Sequence, residues 1–154
     1  MMNWEKDLNL EQIQEIRTRT TVYFGCGAIN KIKDISKLHS SRNAYKSTGA
    51  WDVVENALKE NNIGYINYDK VTPNPTTVAI DEAAKIARDF GAKAVITIGG
   101  GSPTDAGKSV AILLKYDDKT ASDLYEFKFC PDKAVPIVAI NLTHGTGSET
   151  NRFA

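Results

Sequence analysis

The run "KAVITIGGGSPTDAGKSVAILL", Lys93 to Leu114, constrains the fold of this chain more than any other stretch. Ala94 to Ile98 lacks the polar alternation of a half-solvated strand, so it reads as a strand covered on both faces, as in parallel sheets. Gly99, Gly100 and Gly101 end it, and "SPTDAGKSVAILLKY" then carries helical spacing. Ser102 reads as the N-cap, Pro103 suits the first helical position, and Asp105 completes an S-x-x-D capping arrangement. A buried strand that passes through a glycine turn into a helix is half of a βαβ unit.

The rest of the chain repeats this alternation. "RTTVYFG", Arg19 to Gly25, reads as a strand, and Ile29, Ile32, Ile35 and Leu38 then recur at helical spacing. "AWDVVENALKENN" puts Val53, Val54, Ala57 and Leu58 on one helical face. "IGYINY", Ile63 to Tyr68, reads as a short strand before the proline-rich break "VTPNPT". "TTVAIDEAAKIARDFGA" is a helix stopped by Gly91, and "AVPIVAIN" is a second buried strand. Strand and helix in turn imply an α/β fold, a doubly wound, Rossmann-like parallel sheet. The 154 residues suit one domain with a real core, spanning 1–154.

Composition excludes several function classes. Lys and Arg total 19 and Asp and Glu total 19, so no net field favours nucleic acid or an anionic membrane. The N-terminal "MMNWEKDLNLEQIQEIRTRT" is too polar for a signal peptide, and no apolar run is long enough to span a bilayer. Cys26 and Cys130 are far apart and form no metal-binding pair, which fits a reduced, cytoplasmic setting.

The glycine turn nearly fits two phosphate-binding templates. A Walker A loop needs its first glycine where Ser102 stands, and G-x-G-x-x-G needs its third where Thr104 stands. The position in the fold decides between them. The turn lies at the carboxyl end of a strand and opens a helix, whose free amides and partial positive charge suit a pyrophosphate. The bland alternative is a tight strand-to-helix turn and nothing more. Lys108 falls about two turns into that helix, too deep for a Walker lysine, and Gly107 is better explained by close packing. A second glycine-rich loop, "AINLTHGTGSETNRF", follows the next strand and brings Thr143, Gly145, Thr146, Gly147 and Ser148 to the same edge. His144 reads as an ordinary loop histidine, and Asp105 and Glu149 do not by themselves define an acid–base pair.

These segments together carry a resemblance. "GGGSPTDAGK" resembles the GGGSxxDxxK motif of the iron-containing (group III) alcohol dehydrogenases, and "NLTHGTGSE" is similar to that family's TTAGTGSE loop. "KSTGAWDVV" and "VTPNPT" resemble the family in the same order, from about Arg19 onward. The resemblance implies an oxidoreductase that passes hydride between a primary alcohol or its aldehyde and NAD or NADP. Its N-terminal domain would bind the cofactor, and a helical C-terminal domain would hold a divalent metal, iron or zinc; full-length copies would assemble as homo-oligomers. Carried across, Gly100, Gly101 and Ser102 would contact the pyrophosphate and Asp105 would lie close to the cofactor. Leu142 (where the family commonly has Thr), Thr143, Thr146 and Ser148 would line its adenine and nicotinamide ends. Polyol or glycerol-phosphate dehydrogenases and dehydroquinate synthase-like relatives would be served by the same GGGS loop and stand as alternatives, as does a non-catalytic nucleotide-binding fragment, because the chain carries no metal domain.

Two departures from the family follow. No residue of this chain matches the family's Asp and His metal ligands, so the 154 residues alone are expected to oxidise no alcohol. Only "HSS" separates Leu38 from "RNAYKSTG", where the family has a hydrophobic strand, so a strand near 39–42 is expected to be missing. The residue that follows that strand reads the ribose. Here it falls on Ser41 or Arg42, and an arginine that pairs with a 2′-phosphate leans the expectation to NADP over NAD. A solvated loop cation is the other reading of Arg42.

Overall fold

Two parallel strands, β1 (Val95–Gly99) and β2 (Ile137–Asn141), are paired in register from Val95 opposite Ile137 to Gly99 opposite Asn141. The structure is a computed structural model, and it describes residues 46, 48–143 and 145–150. The first strand–helix pair read from the sequence, Arg19 to Leu38, the missing strand near 39–42, Arg42 and Cys26 lie outside those residues. Ahead of β1 come α1 (Ala50–Glu60) and α2 (Thr77–Phe90), and between the strands come α3 (Gly101–Leu113) and α4 (Ala121–Tyr125).

β1 is buried on both faces, and its two sets of side chains serve two separate cores. Ile96 and Ile98 meet Val54 and Leu58 of α1, joined at the margin by Ile63, Tyr65, Val138 and Ile140. Val95, on the opposite face, meets Ile80, Ala83, Ala84 and Ala87 of α2 and Ala106, Val110, Ala111 and Leu113 of α3. Period-two alternation along the strand sends neighbours to opposite faces, so a strand buried at every position from Val95 to Ile98 requires cover on both sides. That is the doubly wound, Rossmann-like α/β arrangement expected from the sequence. The alanine-rich faces of α2 and α3 remove side-chain bulk, and Arg88 of α2 reaches across to cap α3. Its Nη2 donates to the carbonyls of Leu113 at 2.7 Å and Tyr116 at 3.3 Å.

The helix ends follow their capping residues. Thr76 accepts from the Ala79 N–H at 3.3 Å, and Gly91, at φ 73°, closes α2 with its N–H on the Arg88 carbonyl at 2.8 Å. Three expectations need correction. α3 begins at Gly101 with Gly100 as its N-cap, because the Thr104 N–H already bonds the Gly100 carbonyl at 3.3 Å. Ser102 therefore sits inside the helix, and its Oγ accepts from the Asn74 N–H at 3.3 Å instead. Ile63 to Tyr68 forms no strand ladder among the described residues; it is held by side chains, with Ile63 and Tyr65 on one core and Tyr68 in the other. β2 is half-exposed rather than buried, since β1 is its one sheet neighbour among the described residues. α4, which has no counterpart among the helices read from the sequence, starts at a reciprocal capping box of Thr120 and Asp123.

Tyr68 ties the linker before α2 to that helix. Its ring is buried, and its hydroxyl is shared between the Ala79 carbonyl at 3.2 Å and Glu82 Oε2 at 3.1 Å. Burial first, and then the Glu82 carboxylate, push its pKa up to about 12 from an ordinary 10.0. A pKa raised in the folded state favours the protonated form. The contribution of Tyr68 is therefore complete below pH 10 and declines as pH rises from 10 towards 12. Replacing Tyr68 with Phe should flatten the stability profile across that window, measured by urea unfolding at a series of pH values. An unchanged slope would mean the phenol titrates freely.

Candidate functional site

The carboxyl ends of β1 and β2 bring the two glycine-rich segments into direct contact. The Leu142 N–H donates to the Gly99 carbonyl at 2.8 Å, extending the parallel ladder into the second loop. Beyond that bond the loop turns across the glycine turn. A β-carbon placed on Gly100 would lie 2.5 Å from Thr143 Oγ1, and one on Gly101 would lie 3.2 Å from Thr146 Cγ2. A side chain on this turn would push the two segments apart. The threonines of one loop thus face the bare backbone of the other, at the head of α3. In that first turn the N–H groups of Gly101 and Ser102 have no carbonyl one turn earlier within the helix, and Pro103 has no N–H to offer.

A polar cluster closes the second loop onto α3. The Ser148 hydroxyl donates to Asp105 Oδ1. Lys108 Nζ donates to Ser148 Oγ at 3.1 Å and to Asp105 Oδ1 at 3.4 Å. Ser148 is 4% exposed, so this arrangement is built into the fold rather than laid on its surface. The loop braces itself as well: the Ser148 N–H donates to Thr146 Oγ1 at 3.3 Å and the Thr150 N–H to the Gly147 carbonyl at 3.0 Å. Asn141 Oδ1 and Glu149 Oε2, at the two ends of the loop, are buried without a hydrogen-bond partner among the described residues.

The structure therefore brings Gly100, Gly101, Ser102, Asp105, Thr143, Thr146 and Ser148 to one edge of the sheet. Leu142 starts the same loop but packs its side chain on the α1-side core with Ile96 and Ile98. Arg42 and His144 lie outside the described residues. Lys108 belongs to the cluster although its depth in the helix spoke against it; its three-residue spacing from Asp105 places both on one helical face. Asn74 was passed over too. It stands in the left-handed region at φ 53° and its N–H reaches Ser102 Oγ, which anchors the "VTPNPT" segment beside the turn. Gly107 is present for packing, since a β-carbon there would fall 2.1 Å from Thr97 Cγ2.

What this edge can do is hold an anion against backbone amides. Among the described residues no three His, Cys, Asp or Glu side chains converge as metal ligands would, and no helix is long and apolar enough to cross a membrane.

Comparison with known proteins identifies the family. The family profile described as "iron-containing alcohol dehydrogenase" matches residues 19–154. A long-chain primary alcohol dehydrogenase, AdhA, of Thermoanaerobacter ethanolicus is 56% identical over 162 residues, covering 98% of this chain and 41% of that protein. The NADH-dependent butanol dehydrogenase A of Clostridium acetobutylicum is 33% identical over 142 residues, covering 88% of this chain and 36% of that one. The crystal structure of an iron-containing alcohol dehydrogenase from Thermotoga maritima superposes with a TM-score of 0.71 at 33% identity, over 79% of this chain and 34% of the other. An NADH-dependent butanol dehydrogenase A from the same organism gives 0.74 at 29% identity, over 83% and 36%. The chain thus spans 41% or less of the length of these relatives.

Proposed function

The chain belongs to the iron-containing alcohol dehydrogenases, and from that premise we propose that its two facing loops bind the pyrophosphate of a nicotinamide dinucleotide. The single observation that carries the proposal is the close approach of Thr143 and Thr146 to the side-chain-free backbone of Gly100 and Gly101, at the head of a helix. A diphosphate needs backbone amides within hydrogen-bond reach and no side chain in its path. The amides of Gly101 and Ser102 would donate to it, and the hydroxyls of Thr143 and Thr146 would complete the wall. Asp105 and Ser148 would hold the second loop closed beside it, and Leu142 would support that loop from the core.

The nicotinamide, once bound, supplies the hydride acceptor for oxidation of a primary alcohol. This chain's own part is to fix the dinucleotide along the strand ends, so the ring reaches the alcohol in one orientation. The described residues do not fit a divalent metal, iron or zinc, because no three possible ligands converge among them. We assign 1–154 to the dinucleotide-binding domain, with a cytoplasmic setting and homo-oligomeric assembly as part of the same reading. Arg42 favours NADP over NAD through its guanidinium.

Isothermal titration of NAD and NADP against the full-length protein tests the proposal. Saturable one-site binding of both, tighter for NADP, is the expected result. Binding of neither would refute the site, and tighter NAD would refute the role of Arg42.

A further inference from the structure

We propose that Lys108 is a positioning residue for the dinucleotide's diphosphate, its ammonium offsetting the Asp105 carboxylate at the head of α3 while Ser148 draws the second loop onto both. The inference rests on the dinucleotide reading and deepens it.

The head of α3 carries the partial positive charge of the helix, which attracts any nearby anion. Asp105 is just over one turn into that helix, and its carboxylate is itself such an anion. An uncompensated carboxylate there would compete for the same field and repel an incoming diphosphate. Lys108 stands one turn further on the same face, 14% exposed at its side chain, with Nζ 3.4 Å from Asp105 Oδ1. At that separation the ammonium offsets part of the carboxylate's repulsion, and the amides of the glycine turn act on the diphosphate against less opposition. Ser148 ties the loop to this pair. Its hydroxyl donates to Asp105 and accepts from Lys108 at 3.1 Å, so cation, carboxylate and loop are held in one geometry. Asp105 thereby stays beside the site as a loop anchor without acting as a rival anion.

The test compares NAD affinity, by isothermal titration on the full-length protein, for wild type, Lys108→Gln, Lys108→Arg, Asp105→Asn, and the double variant Asp105→Asn, Lys108→Gln. Urea unfolding confirms the fold of each, and Lys108→Met replaces Lys108→Gln should the latter not fold. Glutamine can still donate to Ser148 but carries no charge, so Lys108→Gln should weaken binding by about 10- to 30-fold. Lys108→Arg should stay within about 3-fold of wild type. The double variant, with both charges gone, should recover to within about 3-fold of Asp105→Asn alone. A purely structural lysine would show no such recovery. Unchanged affinity in Lys108→Gln, or a double variant as weak as Lys108→Gln, would overturn the inference and leave the proposed function standing. A wild type that binds neither NAD nor NADP would overturn both.

Discussion

Gly107→Ala should destabilise the protein by about 3 kcal/mol, although alanine is ordinarily worth about 1 kcal/mol more than glycine inside a helix. The added carbon would lie 2.1 Å from Thr97 Cγ2, where carbon atoms normally rest about 3.5–4.0 Å apart. Neither side can yield cheaply. Thr97 is 3% exposed, β-branched and therefore stiff at χ1, and its backbone lies opposite Ala139 in the parallel ladder. α3 would have to lift from β1 and open the core of Val95, Ala106 and Val110. Gly107→Val, with two more carbons at the same point, should not fold. The mechanism has its own control. Thr97→Ala removes the offending methyl, and the remaining neighbours of the new carbon are 3.5 Å away, in ordinary contact. In that background Gly107→Ala should cost no more than about 1 kcal/mol, a coupling of about 2 kcal/mol between the two positions. Urea unfolding of the four proteins of this cycle measures it, and an equal loss in both backgrounds would show that the close approach is not the reason for Gly107.

Gly100→Val should have the complementary outcome, with lost binding and a retained fold. Gly100 lies at φ −98° and ψ −150°, an extended conformation with negative φ, so the position does not call on the left-handed freedom that glycine alone has. The new side chain would meet Thr143, whose Oγ1 stands 2.5 Å from the β-carbon position. Thr143 is exposed on a loop and can move aside, which keeps the cost to stability small. The ligand has no such freedom. A branched side chain between the glycine turn and the second loop would stand where the diphosphate approaches the amides, and it would spread the two walls apart. NAD and NADP affinity should fall at least about 100-fold, or about 2.7 kcal/mol, with the urea midpoint close to wild type. The loss should exceed that of Lys108→Gln, which removes a compensating charge but leaves the amides reachable. Full affinity in a folded Gly100→Val protein would place the diphosphate elsewhere.

Local chemistry made much of this fold legible. The β-branched, mainly apolar run of β1, the glycines after it, the periodicity of α2 and its stop at Gly91 each depend on residues within a few positions of one another, so the βα organisation could be read from the chain. The same holds for Gly107, whose place inside a helix against a buried strand already pointed to close packing. The family motifs also named the two loops that meet. Sequence alone could not show which atoms meet, because that depends on how segments far apart in the chain are carried together. Ser102 looked like a helix cap, but the packing of the proline-rich segment gave its hydroxyl the Asn74 N–H, and the helix started earlier. Lys108 looked too deep in its helix to matter at the site, yet parallel pairing of β1 with β2 delivers Ser148 to it across 40 residues of chain. Helix propensity, capping and periodicity are short-range properties and were written in the residues themselves; the Asp105–Lys108–Ser148 cluster exists because the sheet places two strand ends side by side, and only the tertiary structure decides that.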